Sequence, residues 1–333
     1  MSANIFLATT SSGLSRAVPD GAGSWKVETT LLGTQVACLA AGPRSVYAGL
    51  RSGGLLRSDD LGRSWQPAGL ENIPLRALAV SPHNPDVLYA GAKPVGLYVS
   101  RDAGASWDEL PALRRARRWY WFSPAEFPFS PYVQALAVSP KDPDSILAGI
   151  EAGAVLHSLD GGRTWSPHRK GALRDCHTLT FHNAHGAWVY EAGGSGAGIS
   201  FSTDGGRTWL QPKQGLPPLY GWAVAADSGS PEVYYFSAST AFPSKGVPQA
   251  HIDGDARAHI YRKRGEAPWE RLAGGLPQPL DYMAYALLTD PDEPGALYAG
   301  LSSGDVWCSA DHGDRWERLP FSLGGIHRTL IRI

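Results

Sequence analysis

Cysteine is scarce in this sequence: Cys38, Cys176 and Cys308 are the only three among 333 residues. An odd number of widely spaced cysteines predicts neither a disulfide framework nor a zinc ribbon. Apolar runs of membrane-spanning length are missing, and the N-terminus, MSANIFLATTSSG, lacks the charged and apolar regions of a secretory signal. We therefore expect a protein of a reducing compartment, the cytoplasm, with no membrane span.

An excess of basic charge is also missing. Lys and Arg together number 30 and Asp and Glu 31, which gives a formal net charge of −1 at pH 7. The electrostatic footprint of a nucleic-acid-binding protein is absent, so we expect no nucleic-acid partner. The basic run at 114–118, RRARR, offers a local site for an anion, but a solvated loop or short helix is the favoured interpretation.

Glycine and proline, by contrast, are abundant, with 39 and 26 residues, while 43% of the residues are apolar and 18% are charged. This composition is typical of many short strands joined by many turns. Closed all-β folds reach this length as one unit, so we predict a single all-β domain over residues 1–333. Insertions are predicted at 111–132 and 237–258.

A repeated turn organises the chain. Five segments follow the pattern Ser-x-Asp-x-Gly-x-x-Trp, with Ser, Thr or Arg before the Trp: 58–65, 100–107, 158–165, 202–209 and 309–316. Two degenerate copies of the pattern surround Trp25 and Trp269, which brings the number of units to seven. A spacing of about 40 residues accommodates four short strands per unit, which is the size of one propeller blade.

The predicted fold is a seven-bladed β-propeller of four-stranded antiparallel blades. The first unit starts directly at 5–9 without an inner strand, and the chain ends in a surplus strand at 328–333, RTLIRI. We expect this C-terminal strand to complete the first blade, because closing the ring removes an open sheet edge.

The repeated turns resemble Asp-box repeats, also called bacterial neuraminidase repeats, most clearly at 158–165 (SLDGGRTW) and 202–209 (STDGGRTW). The resemblance spans nearly the whole chain. It implies a propeller of the superfamily that includes sialidases, sortilin-type receptors, xyloglucan-active glycosidases and photosystem II assembly factors, whose functions differ. A classical sialidase is not expected, because no Arg-Ile-Pro motif stands near the N-terminus and no three-arginine clamp can be assigned. The similar string at 318–320, RLP, lies in the last outer strand.

The acidic residue of each repeated turn is interpreted as structural. Its carboxylate can accept backbone N–H groups across its own turn, the Gly supplies a positive φ, and the Trp packs between adjacent sheets. The residues so assigned are Asp60, Asp102, Asp160, Asp204 and Asp311.

Residues that carry function are expected on the other face of the propeller, where the loops between blades meet the turns between second and third strands. A ligand pocket is predicted there, over the central channel. The candidate catalytic residues are Glu151, Glu191, Asp175 and His177. The candidate ligand-binding residues are Arg51, Lys93, Arg117, Trp119, Trp121, Glu126, Tyr220, Trp222, Tyr282 and His327.

Three functions fit these residues. A glycoside hydrolase-like enzyme acting on a carbohydrate or another small polar substrate would use two carboxylates roughly 5–10 Å apart and aromatic platforms. A metal-dependent enzyme would bind a divalent metal, with His177, His251, His259 and His327 as candidate ligands beside the carboxylates. A non-catalytic platform would bind a protein partner through the aromatic insertion. The sequence does not choose among them, and it leaves the oligomeric state open.

Overall fold

The computed structural model describes residues 4–21, 23–125, 127–240 and 248–333, and almost all of its regular structure is β-strand. The first three blades contain β1 (Phe6–Thr10), β2 (Gly13–Pro19), β3 (Trp25–Thr30), β4 (Val36–Ala41), β5 (Val46–Leu50), β6 (Leu55–Ser58), β7 (Gln66–Pro67), β8 (Leu75–Val80), β9 (Leu88–Ala92), β10 (Gly96–Ser100) and β11 (Asp108–Glu109). A short helix, α1 (Pro111–Ala116), follows in the insertion.

Blades four and five contain β12 (Val133–Val138), β13 (Ile146–Ile150), β14 (Val155–Ser158), β15 (Cys176–Phe181), β16 (Val189–Gly193) and β17 (Ile199–Ser202). Blades six and seven contain β18 (Leu219–Ala226), β19 (Val233–Thr240), β20 (His259–Arg264), β21 (Glu270–Leu272), β22 (Ala284–Thr289), β23 (Leu297–Leu301), β24 (Asp305–Ser309) and β25 (Glu317–Ser322). A 3-10 turn spans Gln249–His251, and the chain ends in β26 (Leu330–Arg332). Because β19 runs to Thr240, it takes up the first residues of the insertion predicted at 237–258.

The strands form seven antiparallel sheets, and in six of them the strands run from the inside outwards in chain order, while blade one begins with β26. The prediction of a seven-bladed propeller of four-stranded antiparallel blades is thereby confirmed. In blades four and five the outermost strand is reduced to a single β-bridge, His157 with Ser166 and Phe201 with Leu210. No helix in the described part of the chain is long and apolar enough to cross a membrane.

The C-terminal strand closes the ring as the sequence predicts. β26 is the innermost strand of blade one and pairs with β1, with Ala8 opposite Leu330. The two chain ends extend this pairing, because the backbone N–H of Ile5 donates to Ile333 (3.0 Å) and the N–H of Ile333 donates to Ile5 (2.9 Å). Blade one therefore depends on both ends of the chain.

Each of the five intact repeated turns is held by its own side chains. In blade five, Ser202 Oγ accepts the N–H of Gly206 at 2.8 Å, and Asp204 accepts the N–H of Thr208 at 2.8 Å. The hydrogen bond from the Gly N–H to the Ser Oγ is also 2.8 Å in the other four turns. These aspartates lie at the outer rim and their carboxylates face their own turns, as the structural interpretation requires.

The Gly at the fifth position of each intact turn also contacts the preceding blade. A methyl group placed on Gly62 would lie 2.9 Å from Leu7, and one on Gly206 would lie 2.9 Å from Leu147. Both glycines have a positive φ, of 84° and 90°. A side chain at these positions would push two blades apart as well as strain the turn.

We expect that deleting residues 328–333 destabilises the whole protein, because it removes β26 and leaves the edge of β1 unpaired. Thermal melting followed by circular dichroism should show a loss of the cooperative native transition or a large fall in Tm. A synthetic peptide of residues 327–333, added to the truncated protein, should restore part of the lost Tm. A truncated protein that melts like the full chain would show that blade one is stable without β26.

Candidate functional site

A cavity of about 670 Å³ lies over one end of the central channel, on the face that carries the loops between blades. Residues of several blades and of both insertions line it: Ser11, Pro124, Ala125, Glu151, Asp175, Tyr220, Trp222, Pro248, His251, Asp253, Tyr285, Ser302, Gly325, Ile326, His327 and Arg328. Its volume suits a small molecule. The position agrees with the pocket predicted from the topology.

A β-bulge near the start of the inner strands determines which side chains face this end of the channel. In five inner strands one residue is skipped by the pairing, and in β18 two residues stand opposite one. A bulge frees a residue from the ladder and redirects its side chain. Together with Arg328 from the closing segment, the bulged residues contribute one side chain per blade to the channel: Ala37, Arg76, Gln134, His177, Trp222, Tyr285 and Arg328.

Three potential metal ligands converge beneath the cavity. One ligand atom from each of Glu151, Asp175 and His177 lies within 4.8 Å of the other two. Glu151 immediately follows β13, Asp175 immediately precedes β15, and His177 is the bulged residue of β15. Glu151 and His177 are buried, while Asp175 is partly exposed. We call these three residues the acidic cluster.

Backbone hydrogen bonds hold the acidic cluster in place. The N–H of Glu151 donates to Tyr132 at 3.1 Å, and the N–H of Ala152 donates to Asp175 Oδ1 at 3.2 Å. The second contact ties the turn of blade four to the loop that enters blade five. The main chain thus holds the Asp175 carboxylate beside the turn that carries Glu151.

A hydrogen bond of the ring atom Nδ1 fixes the orientation of His177. Nδ1 lies 2.7 Å from the carbonyl oxygen of Gly221, and because a carbonyl only accepts, Nδ1 carries a proton. Nε2 therefore faces the cluster, 3.6 Å from Asp175 Oδ2. The ring of Trp222 stacks on the imidazole, with centroids 4.3 Å apart and planes inclined by 28°. His177 presents one lone pair, or one proton, to the two carboxylates.

The charges of the cluster shift the pKa values of its members in opposite directions. Burial alone would lower the pKa of His177, but the carboxylates of Asp175 and Glu151 outweigh burial and raise it. Burial alone would raise the pKa of Asp175, but the charge and hydrogen bond of His177 and the Ala152 N–H bring it below its usual value. The cluster therefore favours a cation between the carboxylates, whether an imidazolium proton or a metal ion.

A chain of aromatic and imidazole side chains borders the cluster. Tyr220 Oη lies 3.4 Å from His177 Nε2 and 3.1 Å from His251 Nε2. His251 Nδ1 in turn lies 2.7 Å from Tyr285 Oη. Burial, followed by the nearby charges of His177 and Arg328, lowers the pKa of His251 to about 4. His251 is neutral at pH 7 and hydrogen-bonds to both tyrosines.

The opposite wall of the cavity is basic and comes from the segment that closes the ring. Arg328 has a φ of 81°, a left-handed conformation that is rare for a residue other than glycine. Its guanidinium lies 5.8 Å from the Trp222 ring centroid, and Nη1 donates to Gln134 Oε1 at 3.2 Å. Burial, followed by the charges of Arg328 and Arg51, lowers the pKa of His327 to about 4. The guanidinium thus reaches across the channel to side chains of blades four and six, and a bound ligand would meet it together with the carboxylates.

Seven of the residues predicted from the sequence lie at this site: Glu151, Asp175, His177, Tyr220, Trp222, His251 and His327. Tyr285 lines the cavity although the sequence-based set omits it. The sequence contains a signal for Tyr285. In five inner strands the first residue is apolar, while the second residue differs from strand to strand (VACLAA, LRALAV, VQALAV, CHTLTF, AYALLT). That variable residue is the bulged one.

The other candidates among the described residues do not line the cavity. Trp119 is 93% exposed, Trp121 of the same insertion is buried in the hydrophobic core, and Arg117 and Tyr282 are exposed. The Lys93 ammonium lies 5.7 Å from the Tyr132 ring, and the Arg51 carbonyl accepts from Arg76. His259 contacts Gln278 at 3.0 Å, away from the cavity. Glu126 falls outside the described residues.

The structure separates Glu191 from the cavity. Its side chain is fully buried, on the same face of β16 as Val189, which packs against blade four. Oε2 accepts the N–H of Leu173 at 2.8 Å, and burial raises the pKa of Glu191 to about 8. Glu191 is a buried carboxylic acid that is mostly protonated at pH 7.

No protein-family model matches the sequence, and no curated protein does. Among solved structures, the GH74 xyloglucanase from Xanthomonas campestris is similar with a TM-score of 0.70 and 20% identity, over 95% of this chain and 52% of that chain. An ancestral GH74 enzyme is similar with a TM-score of 0.65 and 20% identity, over 85% of this chain and 38% of that chain. YCF48 bound to D1 peptide is similar with a TM-score of 0.55 and 14% identity, over 86% of this chain and 81% of that chain.

These similarities show the propeller fold alone, because the identities are 20% or lower. The chain spans about half or less of the length of the GH74 enzymes it matches, with 52% and 38% coverage. The neighbours include both an enzyme family and a protein that binds a peptide.

We expect Glu191→Gln to remove a pH dependence of stability. The pKa of Glu191 rises from an ordinary 4.5 in the unfolded chain to about 8 in the fold, so its contribution is complete below pH 4.5 and is lost as the pH rises through 8. At about 1.4 kcal/mol per pKa unit, the loss is at most about 4–5 kcal/mol. The variant should match the parent at pH 4.5 and exceed its free energy of unfolding at pH 9.

Urea unfolding at the two pH values measures this difference. Glu71→Gln, at an exposed position, is the matched control and should follow the parent at both. Equal stabilities of Glu191→Gln and the parent at pH 9 would mean that the buried carboxyl ionises without cost.

Proposed function

We propose that this propeller is a metal-dependent enzyme that binds one divalent cation through Glu151, Asp175 and His177 and hydrolyses a small polar substrate in the cavity above. The observation that carries the proposal is the convergence of the three ligand atoms within 4.8 Å beneath a cavity of about 670 Å³. A carbohydrate is the substrate class suggested by the sequence and by the GH74 neighbours.

The donor set fits a catalytic metal. One imidazole nitrogen and two carboxylate oxygens suit zinc or manganese, and three protein ligands leave positions for water and substrate. The hydrogen bond from His177 Nδ1 to the Gly221 carbonyl is the outer contact that orients a metal-ligating histidine. A cation in this place would lower the pKa of a bound water and polarise a substrate oxygen.

The other side chains of the cavity have roles that follow from their positions. The half-buried ring of Tyr285, whose centroid lies 4.8 Å from that of Trp222, offers an apolar face to a substrate. The guanidinium of Arg328, which reaches over Trp222, would hold a negatively charged or strongly polar group. Tyr220 and His251 would hydrogen-bond to substrate next to the cation.

The proximity of the two carboxylates favours a cation at this place. One oxygen of Glu151 and one of Asp175 lie within 4.8 Å of each other. Two carboxylates this close repel each other unless a cation lies between them or one of them is protonated.

A second candidate function is a platform for a protein partner. The insertion exposes five large aromatic side chains, Trp119, Tyr120, Phe122, Phe127 and Phe129, at 49–93% exposure. Exposed aromatic residues next to arginines are typical of protein interfaces. This surface lies beside the cavity, since Pro124 and Ala125 of the same insertion line it.

Titration calorimetry of chelator-treated protein with Zn²⁺, Mn²⁺ and Ca²⁺ tests the metal site. We expect one ion per chain for at least one metal, and an affinity at least 100-fold lower in His177→Ala and in Asp175→Asn, because each loses a ligand. His259→Ala is the matched control, since this histidine lies away from the cavity. Absence of binding in the parent, or equal losses in His259→Ala, would contradict the site.

Hydrolysis is tested separately with metal-loaded protein on a panel of glycosides and esters. Turnover that depends on the metal and disappears in His177→Ala supports the enzyme. Metal binding without turnover of any substrate would leave the partner-binding platform as the function.

A further inference from the structure

The junction between blades five and six differs from its neighbours. In the five intact turns, the Gly at the fifth position contacts the preceding blade, as Gly206 contacts Leu147 and Gly313 contacts Leu272. The turn of blade six, RKRGEAPW, has lost the Ser and the Asp. A methyl group placed on its Gly265 would lie 3.6 Å from Glu232, which belongs to the same blade. This turn reaches blade five through Trp269, whose Nε1 donates to the Pro212 carbonyl at 2.8 Å, and not through its Gly.

Blade five also contributes less packing to this junction than other blades do. Its fourth strand is reduced to the bridge between Phe201 and Leu210. Blade four has the same reduction, but there the intact turn of blade five covers the gap, with Trp209 packed against Gly171. Between blades five and six, Trp269 reaches Pro212, but the described residues show no contact from Gly265 to blade five and only a bridge in place of a fourth strand. A groove of about 630 Å³ opens there.

Two nearly parallel aromatic rings form one wall of this groove. The rings of Trp188 and Phe201 are inclined by 10° with centroids 5.8 Å apart, and both side chains are half-buried. Tryptophan is unusual at this position, which the other units fill with Ser45, Val87, Ser145, Glu232 and Ala296. Neighbouring Leu210 is 60% exposed. The groove therefore presents an apolar surface formed by two flat rings that are offset from each other.

The rim of the groove is polar and balanced in charge. It carries two ammonium groups, two carboxylates and two amides: Lys213, Lys263, Glu232, Glu266, Gln211 and Gln214. Equal numbers of each sign favour neither an anion nor a cation. They offer donors and acceptors to a neutral ligand with many hydroxyl groups.

We infer that this groove is a second binding site, which takes a neutral saccharide. The apolar C–H face of a sugar ring would stack on Trp188 and Phe201, and its hydroxyl groups would hydrogen-bond to the rim. The site is independent of the proposed metal centre, because it lies at the outer part of the propeller and shares no residue with the cavity.

The test is titration with three neutral probes, cellotetraose, xylotetraose and chitotetraose. Binding is measured by calorimetry and by NMR. We expect at least one to bind, with an affinity at least tenfold lower in Trp188→Leu. Gln214→Ala, at an exposed rim position, should also weaken binding without touching the packing. Trp119→Leu, an exposed tryptophan outside the groove, is the matched control and should bind like the parent.

The result should be the same in chelator-treated and metal-loaded protein, which separates this site from the cavity. Three outcomes would overturn the inference: none of the probes binds, binding survives both groove substitutions, or binding requires the metal. Binding of a proline-rich peptide in the groove, with no saccharide bound, would also overturn it, since aromatic grooves bind such peptides too.

Discussion

The pairing of β26 with β1 is the constraint on which the rest of the structure depends. A propeller is stable as a closed ring, and here the ring is closed by one short strand and by the hydrogen bonds between Ile5 and Ile333. The same segment brings His327 and Arg328 to the cavity. The basic wall of the site thus exists only when the ring is closed, whereas the acidic cluster comes from blades four and five on the other side of the channel.

The bulges of the inner strands explain how a uniform scaffold carries a specific site. Inner strands pack closely, as the glycines of their partner strands show: a methyl group placed on Gly149 would lie 2.4 Å from Cys176 Sγ. The bulged residue is released from this packing and faces the channel. Its identity can change from Ala37 to Arg76 to His177 without altering the core. This one position per blade supplies His177, Trp222 and Tyr285 to the site.

The sequence predicted the fold well because the repeats are local signals. The turns, their spacing and the surplus strand at the end of the chain define seven blades and their closure without any knowledge of packing. The site was predicted in part, since topology alone places Glu151 and Asp175 on one face and in neighbouring blades.

What the sequence could not show depends on side-chain direction and on contacts between blades. Glu191 stands on the same blade as His177, yet strand alternation turns it toward blade four, where it is buried and protonated. Trp119 and Trp121 are two residues apart in one insertion, and one is exposed while the other is buried. The groove at Trp188 follows from a reduced fourth strand in blade five and a changed turn in blade six, a combination that no single repeat reveals.

Anomalous X-ray scattering from crystals grown with Zn²⁺ or Mn²⁺ tests the central claim most directly. The account predicts one strong peak beneath the cavity, within about 2.0–2.3 Å of His177 Nε2 and of one oxygen from each of Glu151 and Asp175. A clear difference map without a peak at these three residues, or with its main peak at histidines elsewhere in the propeller, would contradict it.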